Sequence, residues 1–154
     1  MRIIALDVGE KRIGAATADS NIRIALPRPM IPVDGSELEN IAKLFTREKA
    51  EVVVSGLPRN NSGETTRQTE SVQNFILGLK NYFANHNLSA EFIFQDESWT
   101  SEQAKDHLAI KKHAISRQDR DSGLIDSEAA TIILQDFLES PRLREVEAIL
   151  KQKE

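Results

Sequence analysis

At 154 residues, with 40% hydrophobic and 29% charged side chains, the chain has the size and balance of one globular domain with a real core. Its net charge of −4, from 20 Lys and Arg against 24 Asp and Glu, argues against a general nucleic-acid coat but not against an enzyme that grips nucleic acid locally. No cysteine is present, which excludes disulfides and thiolate metal sites, and no apolar run is long enough to cross a bilayer.

The opening MRIIALD runs straight into a strand pattern, without the charged, apolar and small-residue regions of a signal peptide. A cytoplasmic protein with no membrane partner is therefore expected. Residues 2–8 are apolar on both sides of the alternation, so this first strand is expected to be buried on both faces. A short GEK turn leads into a second strand, RIGAATAD. A third strand fits between Arg23 and Val33, with Pro27, Pro29 and Pro32 placing its end at an edge or in a loop.

The period then changes to that of a helix, with Leu38, Ile41, Ala42 and Phe45 on one face and Ser36 with Glu39 as a capping box. AEVVVSGLP is a fourth strand, and RNNSGETT leads to a second helix with Val72, Phe75, Ile76 and Leu79 inward. AEFIFQDES is the fifth strand, and Thr100 with Gln103 marks a third helix. KKHAISRQDRDSG, residues 111–123, lacks an apolar period and reads as a basic loop. IDSEAATIILQDFL is a last helix, followed by a short helical tail. The expected fold is α/β: a mixed five-stranded sheet, a three-strand antiparallel meander plus two parallel strands, flanked by helices. One domain is expected over residues 1–139, with 140–154 as a C-terminal helical tail.

Acids stand where elements end or begin. Asp7 is near the end of the first strand, Asp96 and Glu97 end the fifth, and Asp126 opens the last helix. If those strands are parallel neighbours, the acids share the edge where open α/β sheets place ligands. Carboxylates converging there repel one another unless cations bind between them, and an all-oxygen ligand set suits Mg²⁺ or Mn²⁺. Two such ions can activate water and stabilise a leaving oxygen in phosphodiester cleavage. Each acid alone has a plainer role: Asp7 in turn chemistry, Asp126 as a helix cap, Asp96 and Glu97 as a solvated loop. Their expected convergence is what favours the metal. Lys111, Lys112, Arg117 and Arg120 are candidate phosphate contacts in the basic loop, as are Lys11 and Arg12 in the first turn. GLPRNNSGETT, between strand and helix, suits an anion, with Arg59, Asn60, Gly63 and Arg67 as substrate contacts. It lacks the Lys-Ser/Thr ending of a nucleotide P-loop.

LDVGEKRIGAATAD, VVVSGLPRNNSGETTRQTESVQNFILGL, FQDESWTSEQA and IDSEAATIILQDFL together resemble the motif blocks of the YqgF family, over roughly residues 2–138. These are bacterial proteins with an RNase H-like fold, also described as Holliday junction resolvases. The resemblance implies a metal-dependent endonuclease that trims precursor small-subunit ribosomal RNA. In it Asp7, Glu97 and Asp126 take the catalytic positions, and Asp96 joins them in holding two metal ions. Two positions depart from the pattern: Ser98 stands where an arginine is usual, and Leu124 where a basic residue is common. Both departures remove positive charge beside the acids.

Three functions follow, in order. The first is an RNA-processing nuclease acting as a monomer or weak homodimer. The second is a resolvase of branched DNA, which needs a dimer to cut two strands symmetrically. The third is a non-catalytic domain binding nucleic acid or nucleotide, since Asp-x-Gly at a hairpin also resembles the phosphate-contacting element of actin-like ATPases.

Overall fold

A computed structural model of the protein describes residues 1–58, 66–96 and 127–154. The helix expected from Thr100 and the basic loop lie outside the described residues. In chain order the elements are β1 (Arg2–Val8), β2 (Arg12–Asp19), β3 (Leu26–Pro32), α1 (Glu37–Arg47), β4 (Val52–Leu57), α2 (Arg67–Asn85), β5 (Glu91–Asp96), α3 (Glu128–Glu139) and α4 (Arg142–Gln152).

The five strands form one sheet in the order β3-β2-β1-β4-β5. β1–β2 and β2–β3 pair antiparallel, and β1–β4 and β4–β5 pair parallel, which is the expected meander extended by two parallel strands. β3, with its three prolines, lies at an edge, where missing N–H donors cost no ladder bond.

β1 and β4 are central and buried on both faces, and alternation sorts their side chains between two cores. Ile4 and Leu6 of β1, with Val53 and Leu57 of β4, pack against Ile41 and Phe45 of α1 and Val72, Ile76, Leu79 and Phe83 of α2. Ile3, Ala5, Val52 and Val54 face the other way, against Ala130, Ile133, Leu134 and Phe137 of α3 and Leu143 and Val146 of α4. The rings of Phe45, Phe83 and Phe92 tie α1, α2 and β5 together, with centroids 4.9 and 5.5 Å apart.

The expected capping box at α1 is not formed. The Ser36 N–H and hydroxyl both donate to Asp34 Oδ1, while Glu39 pairs with Lys43 one turn on, at 3.2 Å. The box appears instead at α2, where Thr66 and Thr69 satisfy each other's backbone N–H groups.

At the N-terminal end of β1, charge is matched. Glu48, at the C-terminus of α1, receives Arg2 at 2.5 Å and Arg28 at 3.1 Å. Arg28 Nε also donates to Thr17 Oγ1 at 2.8 Å.

Candidate active site

The opposite edge of the sheet gathers the C-terminal ends of β1, β4 and β5, the β1–β2 turn and the start of α2. This is the edge at which parallel strands release their chains towards a ligand. Asp7, one residue before the end of β1, lies between β2, where it pairs with Gly14, and β4. Gly9 then turns the chain: its N–H donates to Arg12 O at 3.1 Å, and a Cβ on it would lie 2.6 Å from that same oxygen. Only glycine lets the turn close so tightly behind Asp7.

Asp7 is half-buried, and among the described residues no cation or hydrogen-bond donor meets its carboxylate. Burial pushes its pKa above the ordinary carboxylate value, since among the described residues nothing offsets the lost hydration of the charge. Alternation sets Asp7 with Ile3 and Ala5, on the face that α3 covers. Leu6 pairs with Ser55, so Asp7 lies level with Gly56, and Gly56 in turn pairs with Gln95. The row at this edge is thus Asp7, a glycine without a side chain, and Gln95.

Asp96 ends β5 on the same edge but by alternation goes with Phe92 and Phe94, on the face covered by α1 and α2. The two described acids therefore approach the edge from opposite faces. Glu97 and Asp126 lie outside the described residues, as do Arg59, Asn60, Gly63, Lys111, Lys112, Arg117 and Arg120. Among the described residues no three acids or histidines form a metal-binding group. Lys11 and Arg12, in the β1–β2 turn and at the start of β2, are exposed at this edge, and exposed Arg67 opens α2.

Two contacts at this end have no counterpart in the sequence reading. Ser127, directly after Asp126, is fully buried and makes no helix cap. Its Oγ accepts the Ala15 N–H at 3.2 Å and donates to the Arg28 carbonyl, bridging β2 and β3 next to the slip in their register between Ile13 and Ala15. The entry of α3 is thereby fastened to the sheet. At the same end of the sheet, on its outer strand, Arg142 of α4 reaches the end of β5.

A family model described as "RuvX: Holliday junction resolvase" matches residues 1–140. The chain belongs to that family. A protein of Chloroflexus aggregans named "Putative pre-16S rRNA nuclease" is 39% identical over 145 residues, covering 91% of this chain and 94% of its own. One of the same name from Bacteroides thetaiotaomicron is 34% identical over 143 residues, covering 92% and 98%. Among solved structures, the fowlpox virus resolvase in complex with Holliday junction DNA superposes with a TM-score of 0.57 at 17% identity, covering 90% of this chain and 97% of that one. RuvC of T. thermophilus in complex with a Holliday junction gives 0.51 at 14%, covering 90% and 93%. At such identities these neighbours speak for the fold, which is RNase H-like. The family match stops within two residues of α4, so that helix lies beyond it.

Proposed function

We propose that the chain is a metal-dependent endonuclease that hydrolyses phosphodiester bonds in 5′-end processing of precursor 16S rRNA. The observation that carries this reading is Asp7, a half-buried carboxylate without a described partner at the sheet edge where the family's chemistry is expected. An acid left uncompensated by the fold destabilises it, and a divalent cation is the natural counter-charge for oxygen ligands alone. The names of the relatives support precursor 16S rRNA as substrate.

In this proposal Asp7, Glu97 and Asp126 hold two Mg²⁺ or Mn²⁺ ions, with Asp96 adding negative charge from the other face. Bound there, the ions would supply an activated water and neutralise charge on the phosphate. The protein's own part is to hold the carboxylates in place and to keep the sheet edge clear beside Gly56. Lys11, Arg12, Arg67 and, beyond the described residues, Arg59, Asn60, Gly63, Lys111, Lys112, Arg117 and Arg120 position the nucleic-acid backbone. Residues 1–139 form the nuclease unit, with 140–154 as its tail. The protein works in the cytoplasm, as a monomer or weak homodimer.

The test is a cleavage assay with Mn²⁺ or Mg²⁺, offering wild type and Asp7→Asn single-stranded RNA, a precursor ribosomal RNA fragment and a four-way DNA junction. Metal-dependent cutting of RNA is expected, reduced at least ~10³-fold in the variant. Cutting of the junction alone would replace this reading with the resolvase, for which the fowlpox neighbour's DNA complex speaks. No cutting of any substrate would leave a binding domain.

A further inference from the structure

We infer that Arg142 is a positioning residue for the proposed centre: from α4 it ties down the end of β5, the strand that ends in Asp96. The inference rests on the reading above for its purpose, and on geometry for its substance.

Arg142 Nη1 donates to the Phe94 carbonyl at 2.6 Å and lies 3.3 Å from Gln95 Oε1. Among the described residues β5 is an outer strand, paired with β4 alone, so its terminal residues are held there by half the ladder that fixes Asp7 on the central β1. Outer strands fray from their ends, and the end in question bears Asp96. A guanidinium seated on Phe94 and Gln95 supplies the missing restraint two residues before that acid. Gln95 also shares the row and face of Asp7, so fixing its side chain fixes the floor beside the proposed centre.

The placement of Arg142 is not explained by its own helix. It stands at the first position of α4, where a cation opposes the helix dipole, and α4 has no side-chain cap. Nor does burial explain it, because Arg142 is exposed while Leu143 and Val146 do the packing. What its side chain does is reach a strand 48 residues away in the chain. Because α4 lies beyond the family match, the tether belongs to this chain's own C-terminal helix.

The experiment compares wild type, Arg142→Ala, Arg142→Lys and Arg144→Ala, which removes an equal charge at another exposed position of the same helix. Amide hydrogen exchange over residues 92–98 is followed first, in metal-free protein, and then cleavage is titrated with Mn²⁺. For Arg142→Ala, exchange at the β5 end should quicken about ten-fold. Its apparent Mn²⁺ constant should rise about ten-fold, with kcat at saturating metal within about two-fold of wild type. Its Tm should stay within roughly 2 °C. Arg142→Lys should restore part of both effects, and Arg144→Ala should show neither.

Unchanged exchange in Arg142→Ala overturns the inference whatever the activity. Equal effects in Arg144→Ala also overturn it, since bulk charge would then be the cause. Changed exchange with an unmoved Mn²⁺ constant overturns the role at the centre. Should wild type cleave nothing, the proposed function fails by itself, and exchange alone decides whether the tether exists.

Discussion

A carboxylate shielded from water stands at each end of β1, Glu48 of the α1 terminus at one and Asp7 at the other, and the fold treats them differently. At one end Glu48 is flanked by two guanidinium groups, Arg2 and Arg28, and its side chain is only 11% exposed. At the other, Asp7 is half-buried with no described partner, and burial pushes its pKa up. The first arrangement joins α1, β1 and β3, and offers nothing to a ligand because its charges are already matched. The second is a cost that folding alone does not explain. Sites that bind cations or do acid–base chemistry are where such costs are retained. Among the described residues, the difference between matched and unmatched charge is what separates the structural end of this sheet from the end proposed to do the chemistry.

Breaking the matched end should cost the most stability. In Glu48→Ala, Arg2 and Arg28 lose their shared counter-charge, and a loss of about 2 kcal/mol is expected. That figure lies below the usual cost of breaking a buried pair because both arginines are about one-third exposed. Urea unfolding would measure it. Activity per folded molecule should stay at the wild-type level, and a loss of cleavage in the still-folded variant would erase the proposed division between the two ends.

Next in size is Ser127→Ala, expected to cost about 1 kcal/mol. It leaves the buried Ala15 N–H and Arg28 carbonyl without their bridging hydroxyl, although direct pairing of β2 and β3 can recover part of the loss. The effect on cleavage should exceed the effect on stability, because Ser127 directly follows Asp126 in the chain. Paired unfolding and cleavage measurements on the same sample would show whether the two losses separate.

How far these features were legible in the sequence depends on how local their causes are. The strands were readable because alternation and β-branching are properties of neighbouring residues, and Asp7 stood out as a charge inside an apolar run. Asp96's separation from Asp7 follows from counting along β5 from Phe92, but only once the face of Phe92 is known. The expected capping box at Ser36 fails because Asp34, two residues earlier, takes both the N–H and the hydroxyl. The box at Thr66 went unread because its third residue is Thr69 rather than Glu or Gln. Ser127 and Arg142 were beyond reach for a different reason. Their partners lie 112, 99 and 48 residues away, and no local pattern encodes a contact at that range.

The smallest expected effect tests the comparison most directly. Asp7 has a folded-state pKa raised above its ordinary value near 3.8, so the folded protein binds the proton more tightly than the unfolded chain does. Protonated Asp7 therefore contributes stability that is fully present below about 3.8 and is lost as pH rises through the raised folded value. Once ionised, the half-buried carboxylate is a burden, so above the raised pKa Asp7→Asn, which carries no charge, should be more stable than wild type by roughly 3 °C in Tm. The gap should close as pH falls through the raised pKa. Adding Mg²⁺ or Mn²⁺ at neutral pH should reverse the order, because a ligand that binds only the folded wild type raises its Tm and leaves the variant unmoved. A wild type more stable than Asp7→Asn at neutral pH without metal would mean that Asp7, like Glu48, already has its partner in the fold.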